Sequence, residues 1–199
     1  MATTVKPSPE YKSDLIAARK KSAKALLWLG IVSIVMLFAG LTSAYIVRAD
    51  NGNWRMFDLP NVFFISTAII ITSSFSLVMA VVSAKKNNYG GVKLGVLITF
   101  LLGIAFCIAQ IMGWGALFKS GIVFAGKFSN ASGSFLYVLT GVHMVHLFAG
   151  LISLLWVLIN SLRNKYDSGN LLGIELCSIY WHFLDVLWVY LFLFLYFIR

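Results

Sequence analysis

Five long apolar stretches constrain the fold of this chain more than any other feature of its sequence. Lys93, beside the start of the third stretch, is the single Lys or Arg within them. A helix needs about 20 apolar residues to cross a membrane, whereas a barrel strand needs about half as many and alternates polar with apolar residues. The sequence therefore predicts an all-α integral membrane bundle of five transmembrane helices, over Ala25–Val47, Leu59–Ala84, Val92–Phe118, Ser134–Ile159 and Leu176–Ile198.

The composition excludes a soluble domain. Hydrophobic residues make up 60% of the 199 residues, and charged residues only 12%. The net charge of +9 could suggest a nucleic-acid-binding protein. The Lys and Arg residues instead lie at the ends of the apolar stretches, where they set topology and meet anionic lipid headgroups. We therefore expect membrane lipids as partners and no nucleic acid.

The distribution of basic residues predicts the orientation. Residues 1–24 form a polar segment with six Lys and Arg residues, ahead of a membrane domain over residues 25–199. With the second–third and fourth–fifth connections, that side of the membrane holds 11 basic residues and the other side 5. Basic residues accumulate in cytoplasmic loops. We therefore predict a cytoplasmic N-terminus and an external C-terminus in the cell inner membrane.

Ionisable residues inside the spans are the candidates for function, because each is costly in hydrocarbon. They are His143 and His146 in the fourth stretch and His182 and Asp185 in the fifth, with Glu175 just before it. At a rise of about 1.5 Å per residue, Asp185 and the two histidines of the fourth helix lie near one depth. The sequence predicts a buried polar cluster of these five residues, in which Asp185 bonds His143 or His146 and faces no lipid. The alternative is that His182, three residues earlier on the same helix face, or a buried water satisfies Asp185 instead.

Three interpretations of the histidines remain open at this point. His143 and His146 share a helix face and could bind a metal with His182 and Asp185. Alternatively, His146 and His182 could bind a haem between two helices. The third interpretation is that these polar groups satisfy one another across a helix interface.

Two further patterns concern packing. The fifth stretch is crowded with aromatic residues along its whole length, which predicts that this helix packs deeply. In the fourth stretch Gly141, Ala149 and Gly150 are small enough to permit close helix approach.

One segment of the fifth stretch resembles the tryptophan–histidine–phenylalanine–x–aspartate–x–x–tryptophan signature of cytochrome oxidase subunit III. It is Trp181-His182-Phe183-Leu184-Asp185-Val186-Leu187-Trp188. Three other features are similar to the same family: the glycine–x–histidine–x–x–histidine segment from Gly141 to His146, Glu175 seven residues before His182, and Leu59-Pro60-Asn61 ahead of a Ser/Thr-rich helix. The resemblance covers residues from about 25 to 199.

The resemblance implies a supporting role. Subunit III of a proton-pumping haem–copper terminal oxidase has no active site of its own and binds no cofactor. It stabilises subunit I, supports proton uptake, and assists the access of oxygen through bound lipid. The haems and copper belong to partner subunits of an oxidase that takes electrons from cytochrome c or quinol in aerobic respiration. The implied partners are subunit I, subunit II and further respiratory complexes.

The resemblance also implies lipid contacts, at His146, Asn160 and Arg163. The chain matches the last five helices of the seven-helix form of the family, as short bacterial members do. Two family carboxylates are replaced here, by Ile34 and Gly113. Other classes stay open: an accessory protein of nitric oxide reductase, a stand-alone membrane b-type cytochrome, and a small transporter using Asp185 and Glu175.

Overall fold

The computed structural model describes residues 9–50, 54, 58–126, 130–166 and 171–198. These residues contain five α-helices and no strand. Each helix is long and apolar enough to cross a membrane. The predicted all-α architecture with five membrane-spanning helices is therefore confirmed. The helices are α1 (Pro9–Ala49), α2 (Val62–Lys85), α3 (Tyr89–Lys119), α4 (Ala131–Leu162) and α5 (Leu172–Phe197).

The helix ends differ from the apolar stretches by a few residues. Helices α3, α4 and α5 begin earlier than predicted, because a helix continues into the polar interface where the apolar pattern has stopped. Helix α1 begins inside the predicted polar segment. Helix α2 begins later than predicted, at Val62, with Leu59 and Pro60 ahead of it. Lys6, Arg55, Lys127 and Arg199, which were used to predict the orientation, lie outside the described residues.

Helices α2 and α3 form the most intimate pair of the bundle. Only Lys86, Asn87 and Asn88 separate them, and the Asn88 side chain caps α3 by accepting a hydrogen bond from the Gly91 amide at 3.1 Å. Helix α3 also packs on α4, and α4 on α5, while α5 returns to contact α2. Within the described residues α1 packs on α4 and α5 alone. The five helices therefore enclose one core, with α1 on its outside.

Helix α5 is the most buried of the five and α1 the least. Trp181 and Trp188 of α5 are the two largest fully buried side chains, at 0% and 1% exposure. The deep packing predicted from the aromatic residues of α5 is confirmed.

Candidate functional site

The subunit III signature lies where α5 meets α2, and we call this contact the α2–α5 seam. Its α2 side carries hydroxyl groups and its α5 side carries indole, imidazole and carboxyl groups. The seam consists of Thr67, Ser73 and Ser74 on α2 and Trp181, His182, Asp185 and Trp188 on α5.

The two tryptophans of the signature donate hydrogen bonds across the seam. Trp181 Nε1 donates to Ser73 Oγ at 3.0 Å, and Trp188 Nε1 donates to Thr67 Oγ1 at 3.0 Å. Each hydroxyl gives its own proton to a carbonyl one turn earlier in α2, at 2.7 Å in both cases. The hydroxyl oxygen is therefore free to accept the indole N–H. The order of partners reverses between the helices, as an antiparallel pair requires.

Trp181 is also the point where four helices meet. A Cβ built on Gly103 of α3 would come within 2.8 Å of the Trp181 ring, and one on Gly150 of α4 within 3.3 Å. Both glycines thus make room for the indole while Ser73 of α2 accepts its N–H. Of the three small residues predicted to permit close approach, Gly150 does so. Gly141 has open space beside it, and Ala149 is exposed.

His182 pairs with α2 rather than with the other histidines. Its Nδ1 forms a short hydrogen bond with Ser74 Oγ, next to the Trp181–Ser73 bond. This bond makes a third polar link between α5 and α2. His182 is half-buried beside the groove, where lipid tails offer no hydrogen-bond partner, so the bond to Ser74 lowers the cost of placing its imidazole there.

Asp185 lines an open groove between α2 and α5, and its side chain is only 4% exposed. Neither carboxylate oxygen has a hydrogen-bond partner among the described residues. The predicted bond to His143 or His146 is therefore not formed. The reason is helix rotation: Asp185 faces the α2 side of the bundle, with Ser74 and His182 in the same groove.

His143 is fully buried on α4, beside the seam residue Trp188. Its ring lies between aromatic neighbours, 6.1 Å from the Phe106 ring centroid and 5.2 Å from that of Trp188. Neither ring nitrogen forms a hydrogen bond with any described residue. In this position the imidazole acts as one more packed ring between α3, α4 and α5.

His146 and Glu175 lie apart from the other candidates. His146 Nδ1 is bonded to the Val142 carbonyl at 2.8 Å, and its ring faces Phe38 of α1. Glu175 lies in the first turn of α5, where its charge suits the helix dipole, and it pairs with Lys24 of α1 at 3.1 Å. The five residues thus occupy three places: His182 and Asp185 lie in the seam, His143 and His146 lie one turn apart on α4, and Glu175 lies in the first turn of α5.

The residues proposed as lipid contacts also lie apart. His146 precedes Asn160 by 14 residues on α4, which is about 21 Å along a helix. Asn160 donates to the Trp156 carbonyl at 3.0 Å, and Arg163 is exposed at the end of the same helix. His146 therefore cannot touch the headgroup that Asn160 and Arg163 could meet.

Among the described residues, no group of three or more His, Cys, Asp and Glu side chains is placed to hold a metal ion. His146 and His182, the proposed haem ligands, contact α1 and α2 respectively. The chemistry of the seam is hydrogen bonding between helices.

Sequence reasoning missed several residues that build the seam and the core beside it. Thr67, Ser73 and Ser74 were noted only as part of a Ser/Thr-rich helix, and Gly103 was not noted at all. A signal was available, since Trp181 and Trp188 are seven residues apart and Thr67 and Ser73 six residues apart. The seven-residue spacing places both indoles on one face of α5, two turns apart. The six-residue spacing turns Thr67 about 120° away from Ser73 on α2, so the signal lay on α5 alone.

Comparisons with known proteins agree with the signature. The family described as cytochrome c oxidase subunit III matches residues 9–199. A probable cytochrome c oxidase subunit 3 of Nocardia farcinica is 34% identical over 183 residues, covering 89% of this chain and 88% of the relative.

Relatives from two other kinds of bacteria are similar. Cytochrome c oxidase subunit 3 of a Bacillus species is 30% identical over 196 residues, covering 96% of this chain and 91% of the relative. Cytochrome bo(3) ubiquinol oxidase subunit 3 of Buchnera aphidicola is 30% identical over 175 residues, covering 85% and 90%. On these matches and the signature in α5, the chain belongs to the cytochrome c oxidase subunit III family.

Proposed function

We propose that this chain is the non-catalytic subunit III of a proton-pumping haem–copper terminal oxidase in the inner membrane. The observation that carries this proposal is that three polar side chains of the signature form hydrogen bonds within the chain. Both tryptophans and His182 are used in hydrogen bonds between α2 and α5. Such a seam holds a scaffold together and leaves the redox chemistry to other subunits.

The proposed role is to stabilise subunit I during turnover and to support proton uptake and the access of oxygen and lipid. Subunits I and II are the proposed partners, with haems and copper bound by partner subunits. Large apolar side chains are exposed on all five helices, which supports extensive contact with lipid and with neighbouring helices.

Removal of this chain is expected to leave the haem spectrum and the initial oxygen consumption of the oxidase nearly unchanged, because no redox ligand is lost. The enzyme should then lose activity sooner over many turnovers. The measurement is oxygen consumption by the purified complex from a deletion strain and from the same strain complemented with the wild-type gene. Loss of the haem spectrum with subunit I still present would contradict the proposal.

The companions of the chain test the assignment more directly. Purification of the native complex should recover the subunits of an oxidase that reduces oxygen to water. Recovery with the subunits of nitric oxide reductase would replace this proposal with the accessory-protein alternative.

The N-terminus is expected to lie in the cytoplasm and the C-terminus outside. The pair between Lys24 and Glu175 supports opposite sides for the two termini, since it places the start of the apolar part of α1 and the start of α5 at one end of the bundle. The excess of basic residues at that end is the reason to assign it to the cytoplasm. Reporter fusions after Lys86 and after the last residue should read cytoplasmic and external respectively. The reverse pattern would show that the excess of basic residues does not set the orientation.

A further inference from the structure

The groove beside Asp185 is built from one face of each of two helices. On α2 its walls are Ile71, Ser74, Phe75 and Val78, and on α5 they are His182, Asp185, Val186 and Val189. Both sets follow the spacing i, i+3, i+4, i+7, which is the spacing of one helical face. The groove has a volume of about 390 Å³ and opens toward the outside of the bundle.

Asp185 is the unsatisfied group of this groove. It is 96% buried, and both its oxygens lack a hydrogen-bond partner in the described part of the chain. The indoles of Trp181 and Trp188 donate to α2 hydroxyls. The Ser74 hydroxyl lies beside both His182 and the Asp185 carboxyl group, and its single proton can serve at most one of the two carboxyl oxygens. A buried carboxyl group without a partner is strongly disfavoured, so a donor from outside the chain would be stabilised here.

The depth of Asp185 decides what kind of donor can reach it. Asp185 is 13 residues after Leu172 and 12 before Phe197 on α5, which places it about 18–20 Å from either helix end. Lipid headgroups lie at the ends of a span near 30 Å thick, and acyl chains carry no hydrogen-bond donor. Headgroups and acyl chains therefore cannot supply the donor, which leaves a water held in the groove or a protein side chain at the middle of the membrane. The long apolar walls of the groove favour the side chain of a packed helix.

We propose that the groove between α2 and α5 receives a transmembrane helix of a partner oxidase subunit, whose side-chain N–H or O–H donates to Asp185. This inference rests on the proposed function, because it requires an oxidase assembly. Val78 and Phe75 form the apolar rim on which the partner helix packs, at 47% and 68% exposure. The carboxylate then fixes the register of the two subunits, as single buried polar groups do between helices.

A second groove, between α1 and α5, provides an internal comparison. It is lined by apolar and aromatic residues that include Val35, Ala39 and Tyr190. The one hydroxyl there, on Tyr190, already donates to Thr42 of α1 at 3.3 Å. That groove presents no unsatisfied polar group and can be filled by acyl chains alone.

Photo-crosslinking in the native complex tests the location. A benzophenone amino acid placed at Phe75 or Val78 is expected to crosslink to one transmembrane helix of another oxidase subunit, identified by mass spectrometry. The matched control is Ile152 on α4, which is 70% exposed and outside the groove. Crosslinks from Phe75 and Val78 to lipid only, or from Ile152 alone to a subunit, would overturn the inference.

Substitution of Asp185 tests the donor. Asp185→Leu is expected to reduce retention of the chain in the detergent-washed oxidase by about three- to tenfold, in line with hydrogen bonds measured between membrane helices. Asp185→Asn keeps an acceptor oxygen and should retain more of the chain. Thr72→Val is the control, since Thr72 is exposed on α2 outside the groove and bonds only to its own helix.

The thermal stability of the purified chain without its partners distinguishes an effect of Asp185 on subunit docking from an effect on folding. Because the Ser74 hydroxyl is the one donor beside Asp185 among the described residues, Asp185→Leu should lower the thermal midpoint of the chain in detergent little or not at all. A clear fall in the thermal midpoint of Asp185→Leu, compared with wild type and Thr72→Val, would show that Asp185 stabilises the fold of the chain itself. That result would overturn the inference. If the chain copurifies with the oxidase but the groove gives no subunit crosslink, only this inference fails. If it never copurifies, the proposed function fails first.

Discussion

Trp181→Ala is expected to destabilise the chain more than any other single truncation on α5. The indole is fully buried, and it fills the space left by Gly103 and Gly150 while donating to Ser73. Because it touches three other helices, its removal leaves a cavity at the centre of the bundle. Truncation of a buried Trp or Phe to Ala costs about 3–5 kcal/mol in folded proteins. The measurement is the free energy of unfolding of the purified chain in mixed detergent micelles.

Two variants separate the causes. Trp181→Phe keeps an aromatic ring but removes the N–H donor, and it should cost less, because a hydrogen bond between membrane helices averages about 0.6 kcal/mol. Trp156→Ala is the control for losing a tryptophan, since Trp156 is 68% exposed on α4. If Trp156→Ala were as damaging as Trp181→Ala, then burial among four helices would not be the source of the effect.

The fold of this chain could be predicted because the properties that let a helix cross a membrane can be counted along the sequence. A span needs only sufficient length and apolarity, and both are visible along the sequence. The same pattern placed the helix ends less well. Glu175, for example, breaks the apolar run, and yet α5 begins before it at Leu172. A charged residue is tolerated in the first turn, where water and the helix dipole both stabilise it.

The candidate site was harder to predict, because it depends on how each helix is rotated. Depth can be counted from residue numbers, and that estimate correctly brought α4 and α5 together near His143, whose ring contacts Trp188. The rotation of each helix about its own axis, which decides the neighbour that a side chain faces, cannot be obtained from residue numbers. Asp185 turned toward the groove with α2, so its predicted bond to His143 or His146 is not formed. For the same reason the sequence could not distinguish Gly150, which packs against Trp181, from Gly141, which has no neighbour within 4 Å of a Cβ at its position.

Gly95→Leu is the second substitution with a large expected effect, and it acts on the α2–α3 pair. A Cβ at Gly95 would lie 2.8 Å from the Ala80 Cβ and 3.1 Å from the backbone N and Cα of Ala80. A backbone cannot move aside as a flexible side chain can, so the whole of α2 must shift. The Gly95 carbonyl also accepts hydrogen bonds from Ser76 of α2 at 3.0 Å and from Thr99 at 2.8 Å. Separating the helices would break the first of these bonds.

The expected cost of Gly95→Leu is at the upper end of the range of about 1–3 kcal/mol for overpacking, because the obstacle is backbone. Gly115→Leu on the same helix is the matched control, since nothing lies within 4 Å of a Cβ there. Glycine is roughly 0.8–1 kcal/mol less favourable than alanine in a helix, and leucine ranks close to alanine, so the control should be neutral or stabilising. The unfolding free energy in mixed micelles should therefore fall for Gly95→Leu and stay unchanged or rise for Gly115→Leu. Equal losses would mean that the helices do not approach each other at Gly95 and Ala80.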